Sequence, residues 1–253
     1  MIAQSRLMPP MNRVPEVTVD FWLIKLMAVT MGETAADFLA VNLGLGLTAT
    51  TGLMVVVLVG VMFAQLSTKR YIPSAYWLAV VMISIVGTLV TDNLIDTFGV
   101  PLTTTTAVFS VALAATFAIW FAVERTLSIH AIFTDRREAF YWLAIFLTFA
   151  LGTAVGDFIS EYFALGYLAT GILFGLMIAS LALGYFKLGL DPILGFWLAY
   201  ILTRPLGASL GDLLAKPAEY GGVGLGTIMT SAGFLAAILT LVVVMTMRRE
   251  RLA

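Results

Sequence analysis

The sequence predicts an all-α membrane protein with eight transmembrane helices, arranged as four tandem parallel helical-hairpin repeats with pseudo-four-fold symmetry and two two-repeat halves. One observation is composition: of 253 residues, 60% are hydrophobic and only 11% are charged, against about 25% charged in an average soluble domain. The other is internal repetition, which has to be recognised before other fold arguments. A glycine five residues before an aspartate recurs as Gly32 and Asp37, Gly87 and Asp92, Gly152 and Asp157, Gly207 and Asp212.

Eight apolar segments are long enough to cross a hydrocarbon layer of about 30 Å. They cover residues 20–43, 46–66, 74–97, 101–123, 138–163, 165–186, 191–215 and 225–247. We expect a single transmembrane domain over 1–253, with repeats at about 17–70, 71–125, 136–188 and 190–248. Because each repeat contains two spans, all four repeats should have the same orientation in the bilayer and be related by an axis along the membrane normal.

Two further patterns predict how the chain sits in the membrane. A tryptophan stands ten residues before each repeated glycine, at Trp22, Trp77, Trp142 and Trp197. Indole rings favour the membrane interface, so we expect these four to form an aromatic belt. Basic residues concentrate on the connections on the side of the termini, whereas the opposite side has only Lys216. The positive-inside rule therefore places both termini in the cytoplasm, and a net charge of -1 gives no basic face for nucleic acid.

A polar stripe follows the odd-numbered helices beside the repeated glycines. The position four residues after each glycine is also small or hydroxylated, which favours close helix packing. The neighbouring stripe carries Lys25, Glu33 and Asp37 in the first repeat, Ser84, Thr88, Asp92 and Asp96 in the second, Thr153, Asp157 and Glu161 in the third, and Arg204 and Asp212 in the fourth. An ionised group at the bilayer centre costs about 2.5–3.5 kcal/mol even on lenient scales, so these stripes should face one another or water.

The stripes predict a cation site. We expect Glu33, Asp37, Asp92, Asp157 and Asp212 to supply metal ligands, and Ser84, Thr88, Thr153, Asp96 and Glu161 to be supporting polar groups. Lys25 and Arg204 are expected either to couple and gate ion movement or to act as structural counter-ions. The simpler alternative for the aspartates is that each reaches water or a loop near its helix end.

These residues favour transport over catalysis. Oxygen ligands without cysteine or clustered histidine suit hard cations such as Mn²⁺, Mg²⁺ and Ca²⁺, so the leading hypothesis is a transporter of a small inorganic cation, Mn²⁺ first, with proton-coupled export as one mode. The alternatives are a cation channel and a non-transporting membrane scaffold or regulatory protein. No nucleophile elbow, zinc motif or phosphate loop is present, so neither an enzyme nor a cofactor beyond the cation is expected, and the oligomeric state stays open. The expected partners are the lipid bilayer and the ion.

The tryptophan register, the four Gly-to-Asp stretches and the segment Thr203-Arg204-Pro205-Leu206-Gly207 resemble a family of bacterial integral membrane proteins built from four tandem repeats of unknown function. Each repeat of that family has two transmembrane segments and a characteristic tryptophan. The resemblance covers essentially the whole chain and implies this architecture in a bacterial inner membrane. It implies no activity and no functional residues.

Overall fold

The computed structural model describes residues 12–252, and the side chains of all of them except 161 and 249–252. Within this range the secondary structure is helical throughout, without strands. The helices are α1 Val19–Asp37, α2 Leu47–Ser67, α3 Pro73–Asp92, α4 Leu102–Glu124, α5 Asp135–Asp157, α6 Gly166–Leu188, α7 Pro192–Ala215 and α8 Thr227–Leu252. Short π-helical turns continue α1, α3 and α5 over Phe38–Asn42, Asn93–Thr97 and Phe158–Tyr162.

Polar caps and prolines mark where the odd-numbered helices begin. The Thr18 hydroxyl accepts a hydrogen bond from the backbone N–H of Phe21 (3.3 Å) at the start of α1. The Asp191 carboxylate accepts one from the N–H of Leu194 (2.9 Å) at the start of α7. Pro73 stands in the first turn of α3, where its missing N–H breaks no helical hydrogen bond. These local signals fix the starts of the helices that carry the polar stripes.

Seven of the described helices, α2 to α8, are long and apolar enough to cross a membrane, by length and composition. The chain therefore fits a multi-pass membrane protein. The predicted first span differs, because α1 carries Asp20, Lys25 and Glu33 within its 19 residues. Lys25 and Glu33 are buried among neighbouring helices, so the charges that make α1 less apolar point into the protein.

The odd-numbered helices form a closed ring in which α1 contacts α3, α3 contacts α5, α5 contacts α7, and α7 contacts α1. The even-numbered helices lie outside this ring. Each packs mainly on the odd helix that follows it: α2 on α3, α4 on α5, α6 on α7, and α8 on α1. The two helices of one predicted hairpin are thus not each other's main neighbours.

The turn after α1 contains Gly44 and Gly46 at φ of 69° and 75°, values that L residues rarely adopt.

The repeated glycines form the contacts within the ring. A Cβ atom at any of the four would collide with the next ring helix: Gly32 meets Ser84, Gly87 meets Phe149, Gly152 meets Arg204, and Gly207 meets Val29. Each partner lies three residues before the glycine of its own helix. The four interfaces therefore share one register, and the predicted close packing through small residues is confirmed.

Candidate functional site

The centre of the ring holds four polar side chains, one from each odd helix: Glu33, Thr88, Thr153 and Arg204, called here the central cluster. Both terminal nitrogens of Arg204 lie 2.9 Å from Glu33 Oε2. Arg204 Nη2 also donates to Thr153 Oγ1 at 2.7 Å and to Thr88 Oγ1, and Thr88 Oγ1 donates to Glu33 Oε2 at 3.1 Å. Arg204 is fully buried and Glu33 is 5% exposed, so the ion pair is closed off from solvent.

The repeat explains why these four side chains meet. Glu33, Thr88 and Thr153 each stand one residue after the repeated glycine, and Arg204 stands three residues before Gly207. The missing Cβ of Gly152 leaves the space in which the aliphatic stem of Arg204 lies. Packing through glycine therefore brings the polar stripes together, as predicted, and places Arg204 as the counter-ion of Glu33.

Aspartates gather at one end of the ring, called here the acidic end. Asp37, Asp92 and Asp157 are the last residues of α1, α3 and α5, and all three are half-buried. Asp92 lies close enough to Glu33, Asp37 and Asp96 for their negative charges to repel its own. Asp96 is exposed, and the side chain of Glu161 lies outside the described residues.

Lys216 ties the acidic end together across the interface of α7 and α1. Its Nζ lies 2.8 Å from Asp37 Oδ2 and 3.8 Å from Asp212 Oδ1. The sequence interpretation assigned Lys216 no site role. The repeat register could have indicated such a role. Lys216 stands nine residues after its repeated glycine, as do Asp96 and Glu161, which were both assigned to the site. The fourth repeat thus has a positively charged lysine side chain at the position where the second and third repeats have a carboxylate.

Lys216 keeps its charge over the physiological range. Burial alone would lower the pKa of Lys216, but the neighbouring Asp37 and Asp212 carboxylates outweigh burial and raise that pKa above its ordinary value of 10.5. A folded-state pKa that is raised gives stabilisation that is fully present below the unfolded value and is lost as the pH rises through the folded value. Deprotonation of Lys216 therefore breaks its ion pairs only in strongly alkaline solution.

Replacing Lys216 with glutamine should lower the free energy of unfolding by no more than about 1 kcal/mol, because exposed ion pairs contribute little and the Lys216 side chain is 35% exposed. Thermal unfolding of the detergent-solubilised protein at low and high salt would measure this. Lys69→Gln is the matched control, since Lys69 is 66% exposed and pairs with Asp135 at 3.1 Å. A loss of several kcal/mol from Lys216→Gln alone would contradict this view of the bridge.

Lys25 does not join the central cluster. Its Nζ donates to the Tyr200 carbonyl at 2.6 Å and lies 4.0 Å from the centroid of the Tyr200 ring. Lys25 is fully buried, and cation–π contact compensates part of its lost hydration. The predicted role of structural counter-ion to Glu33 therefore belongs to Arg204 and not to Lys25. Ser84 also stays apart, since its hydroxyl is 3.5 Å from the Val29 carbonyl.

The opposite end of the ring is closed by aromatic side chains and is called here the aromatic end. Its members stand eleven residues before the repeated glycines: Phe21, Tyr76, Tyr141 and Phe196. The hydroxyls of Tyr76 and Tyr141 are 2.5 Å apart, and the rings of Phe21 and Phe196 are 6.0 Å apart. All four are buried, so the polar axis is blocked at this end.

The predicted aromatic belt is wrong for three of the four repeat tryptophans. Trp77, Trp142 and Trp197 are at most 4% exposed, because neighbouring helices and the connection between α4 and α5 cover them. The Trp197 indole donates to the Leu127 carbonyl at 2.9 Å, and that of Trp142 donates to Glu138 Oε1 at 3.3 Å. Only Trp22 of this set is partly exposed.

The predicted metal ligands are not assembled into a metal centre. Over the described residues, no three Asp, Glu, His or Cys side chains are grouped so that they could hold a metal ion. Glu33 is engaged by Arg204, and Asp37 is engaged by Lys216. A cation that binds Glu33 Oε2 would have to replace Arg204 there.

Helices of this length and composition, with a repeated small-residue interface and a buried polar centre, fit a four-repeat protein of the multi-pass membrane class. The chain belongs to the family described as Repeat of Unknown Function (DUF347), whose sequence model matches residues 21–71, 75–126, 140–189 and 195–251. The four-repeat family predicted from the sequence is thereby confirmed. No curated protein and no solved structure matches the chain.

Proposed function

We propose that the protein is a transporter of a small inorganic cation, with Mn²⁺ as the first candidate. In this proposal all helices cross a bacterial inner membrane, the four repeats have the same orientation, and both termini face the cytoplasm. The common register of the four ring interfaces supports the shared orientation. The basic residues on the connections near the termini support the topology through the positive-inside rule.

The observation that carries the proposal is the Glu33 and Arg204 ion pair on the ring axis, with the aspartates of the acidic end beside it. A buried ion pair is weak evidence of stabilisation, because desolvating two charges offsets much of their attraction. Ionisable groups inside a membrane more often mark an ion pathway. Asp92 lies within electrostatic range of both Glu33 and Arg204, so the charges of the acidic end act on the ion pair.

In the proposed mechanism, Arg204 and the cation compete for Glu33. A cation entering through an opened aromatic end, on the cytoplasmic side of the proposed topology, binds Glu33 when Arg204 turns away, and Thr153 and Thr88 then hold the guanidinium that Glu33 has released. The cation would then leave at the acidic end, on the opposite side. After the cation has left, a proton on Glu33 would take its place while the protein returns to its starting conformation. Export of the cation would thereby be coupled to movement of a proton.

A non-transporting membrane scaffold is the second candidate, and one observation favours it. The central cluster joins four helices through hydrogen bonds to one guanidinium, as a purely structural clamp would. A cation channel has less support, since Lys25 and Arg204 place positive charge deep in the ring, and fixed positive charge opposes cation conduction.

Flux measurements in proteoliposomes separate these candidates. Mn²⁺, Mg²⁺, Ca²⁺ and Na⁺ would be supplied in turn, with and without a pH gradient, to the wild type and to Glu33→Gln. We expect flux of at least one cation, and its loss in Glu33→Gln because the variant lacks the anionic ligand. Glu138→Gln is the matched control: Glu138 is also buried and paired with an arginine, Arg13, at 2.8 Å, but it lies outside the central cluster. Absence of flux for every ion, or equal flux in Glu33→Gln, would overturn the proposal.

A further inference from the structure

The segment before α1, residues 12–18 and called here the strap, has no regular secondary structure but is docked onto the helices. The Asn12 side chain donates to the Ile129 carbonyl at 2.9 Å and accepts from the Ile132 N–H at 3.2 Å. The Arg13 N–H donates to the Ile132 carbonyl at 3.1 Å. These hydrogen bonds fasten the strap to the connection between α4 and α5.

A buried arginine also joins the strap to the first turn of α5. Arg13 Nη1 lies 2.8 Å from Glu138 Oε2 and 2.5 Å from Asp135 Oδ1. Glu138 is fully buried, and its Oε1 accepts hydrogen bonds from Gln65 and the Trp142 indole, both at 3.3 Å. Breaking a buried ion pair leaves an uncompensated charge, so Glu138 holds Arg13, and with it the strap, in one position.

The strap crosses the aromatic end from one side of the ring to the other. It leads directly into α1, whereas its arginine is held by α5, and these two helices are opposite members of the ring. Val14 and Pro15 are buried. Val14 belongs to the same buried apolar cluster as Phe21 of α1 and Tyr141 of α5. The strap therefore lies over the aromatic side chains.

We propose that the strap is a gate, which must undock from α5 before the aromatic end can open. The inference rests on the proposed function, in which the cation passes this end of the ring. While Arg13 is bound to Glu138, the start of α1 is tied to the start of α5 across the opening, so the docked strap opposes their separation. Because release of Arg13 opens the path and removes no cation ligand, Glu138→Gln should retain flux, unlike Glu33→Gln.

The contacts of the strap suit a segment that is released and bound again. Its buried apolar side chains are Val14 and Pro15, whereas Glu16 and Thr18, next to α1, are exposed. Segments with few buried apolar contacts open at a lower free energy than the core. Water can replace the hydrogen bonds of the strap when it leaves. We therefore expect the strap to undock while the helices stay folded.

Labelling of introduced cysteines tests the gate without requiring any ion. The chain has no cysteine, so Val14→Cys reports undocking of the strap and Val80→Cys reports opening of the aromatic end. Val80 is fully buried and stands four residues after Tyr76, one helical turn further into the ring. A charged, water-soluble methanethiosulfonate would be added to the detergent-solubilised protein, and the rate of modification would be followed by mass spectrometry.

Arg13→Gln should raise both labelling rates about tenfold, as the loss of a hydrogen bond to a charged group would give. Asn12→Ala leaves the ion pair intact and should change both rates in the same direction. Arg136→Gln is the matched control, since Arg136 also lies in the first turn of α5 but is 68% exposed, and it should leave both rates unchanged. Ile238→Cys, buried in α8, should stay unlabelled in all these backgrounds.

The two cysteine positions separate the possible outcomes. An unchanged rate at Val14→Cys in both Arg13→Gln and Asn12→Ala would overturn the gate. Faster labelling at Val14→Cys alone, without a change at Val80→Cys, or labelling of Ile238→Cys together with both, would also overturn it. Faster labelling at Val14→Cys and Val80→Cys supports the gate. If that result came with no flux of any cation, the gate would stand and the proposed transport would fail.

Discussion

Replacing Arg204 with methionine is expected to lower the free energy of unfolding by about 3–5 kcal/mol, because the change leaves a buried carboxylate without its counter-ion. Arg204 is fully buried, and its terminal nitrogens contact Glu33, Thr88 and Thr153. The loss would be measured by thermal or denaturant-induced unfolding of the detergent-solubilised protein, using the near-ultraviolet signal of the buried tryptophans.

The double variant Arg204→Met with Glu33→Gln tests the reason for this loss. Neutralising both partners removes the isolated charge, so the double variant should be more stable than Arg204→Met alone. Arg136→Met is the exposed control, since Arg136 is 68% exposed and 3.6 Å from Glu124, and it should cost no more than about 1 kcal/mol. A double variant less stable than either single variant would show that Arg204 acts mainly through the packing of its stem.

Internal repetition made the architecture and much of the central cluster predictable. The spacing from each glycine placed Glu33, Thr88 and Thr153 at equivalent positions, and the high cost of charge in a bilayer implied that they face one another. The same spacing placed Arg204 on the polar stripe. Periodicity could not decide between Lys25 and Arg204 as the partner of Glu33, because that choice depends on distances between helices.

The packing of the even helices could not be predicted from the repeat. A hairpin in sequence suggests that its two helices pack together, yet α2 packs mainly on α3 and α8 on α1. This offset places Trp120 against Trp197 and so helps to bury Trp197 inside the bundle. Lys216 was missed for a related reason, since its partner Asp37 is 179 residues away in sequence.

Replacing Gly152 with alanine should destabilise the protein by about 1–3 kcal/mol, the usual cost of overpacking a filled interior. The new Cβ would collide with the Cβ and Cγ atoms of Arg204 and lie 3.2 Å from Pro205 Cδ. The collision would separate α5 from α7 and shift the guanidinium away from Glu33. Unfolding measurements on the detergent-solubilised protein would give the change in stability.

Gly175→Ala on α6 is the matched control, because no atom lies within 4 Å of a Cβ built there. Alanine is favoured over glycine in a helix by about 0.5–1 kcal/mol, so Gly175→Ala should be neutral or stabilising. Glycine-to-alanine substitution should thus lower the free energy of unfolding at Gly152 but not at Gly175. Only the close packing of the ring helices predicts that difference. If Gly152→Ala were as stable as Gly175→Ala, α5 and α7 would not meet in the described register, and the central cluster would lose its geometric basis whatever the protein transports.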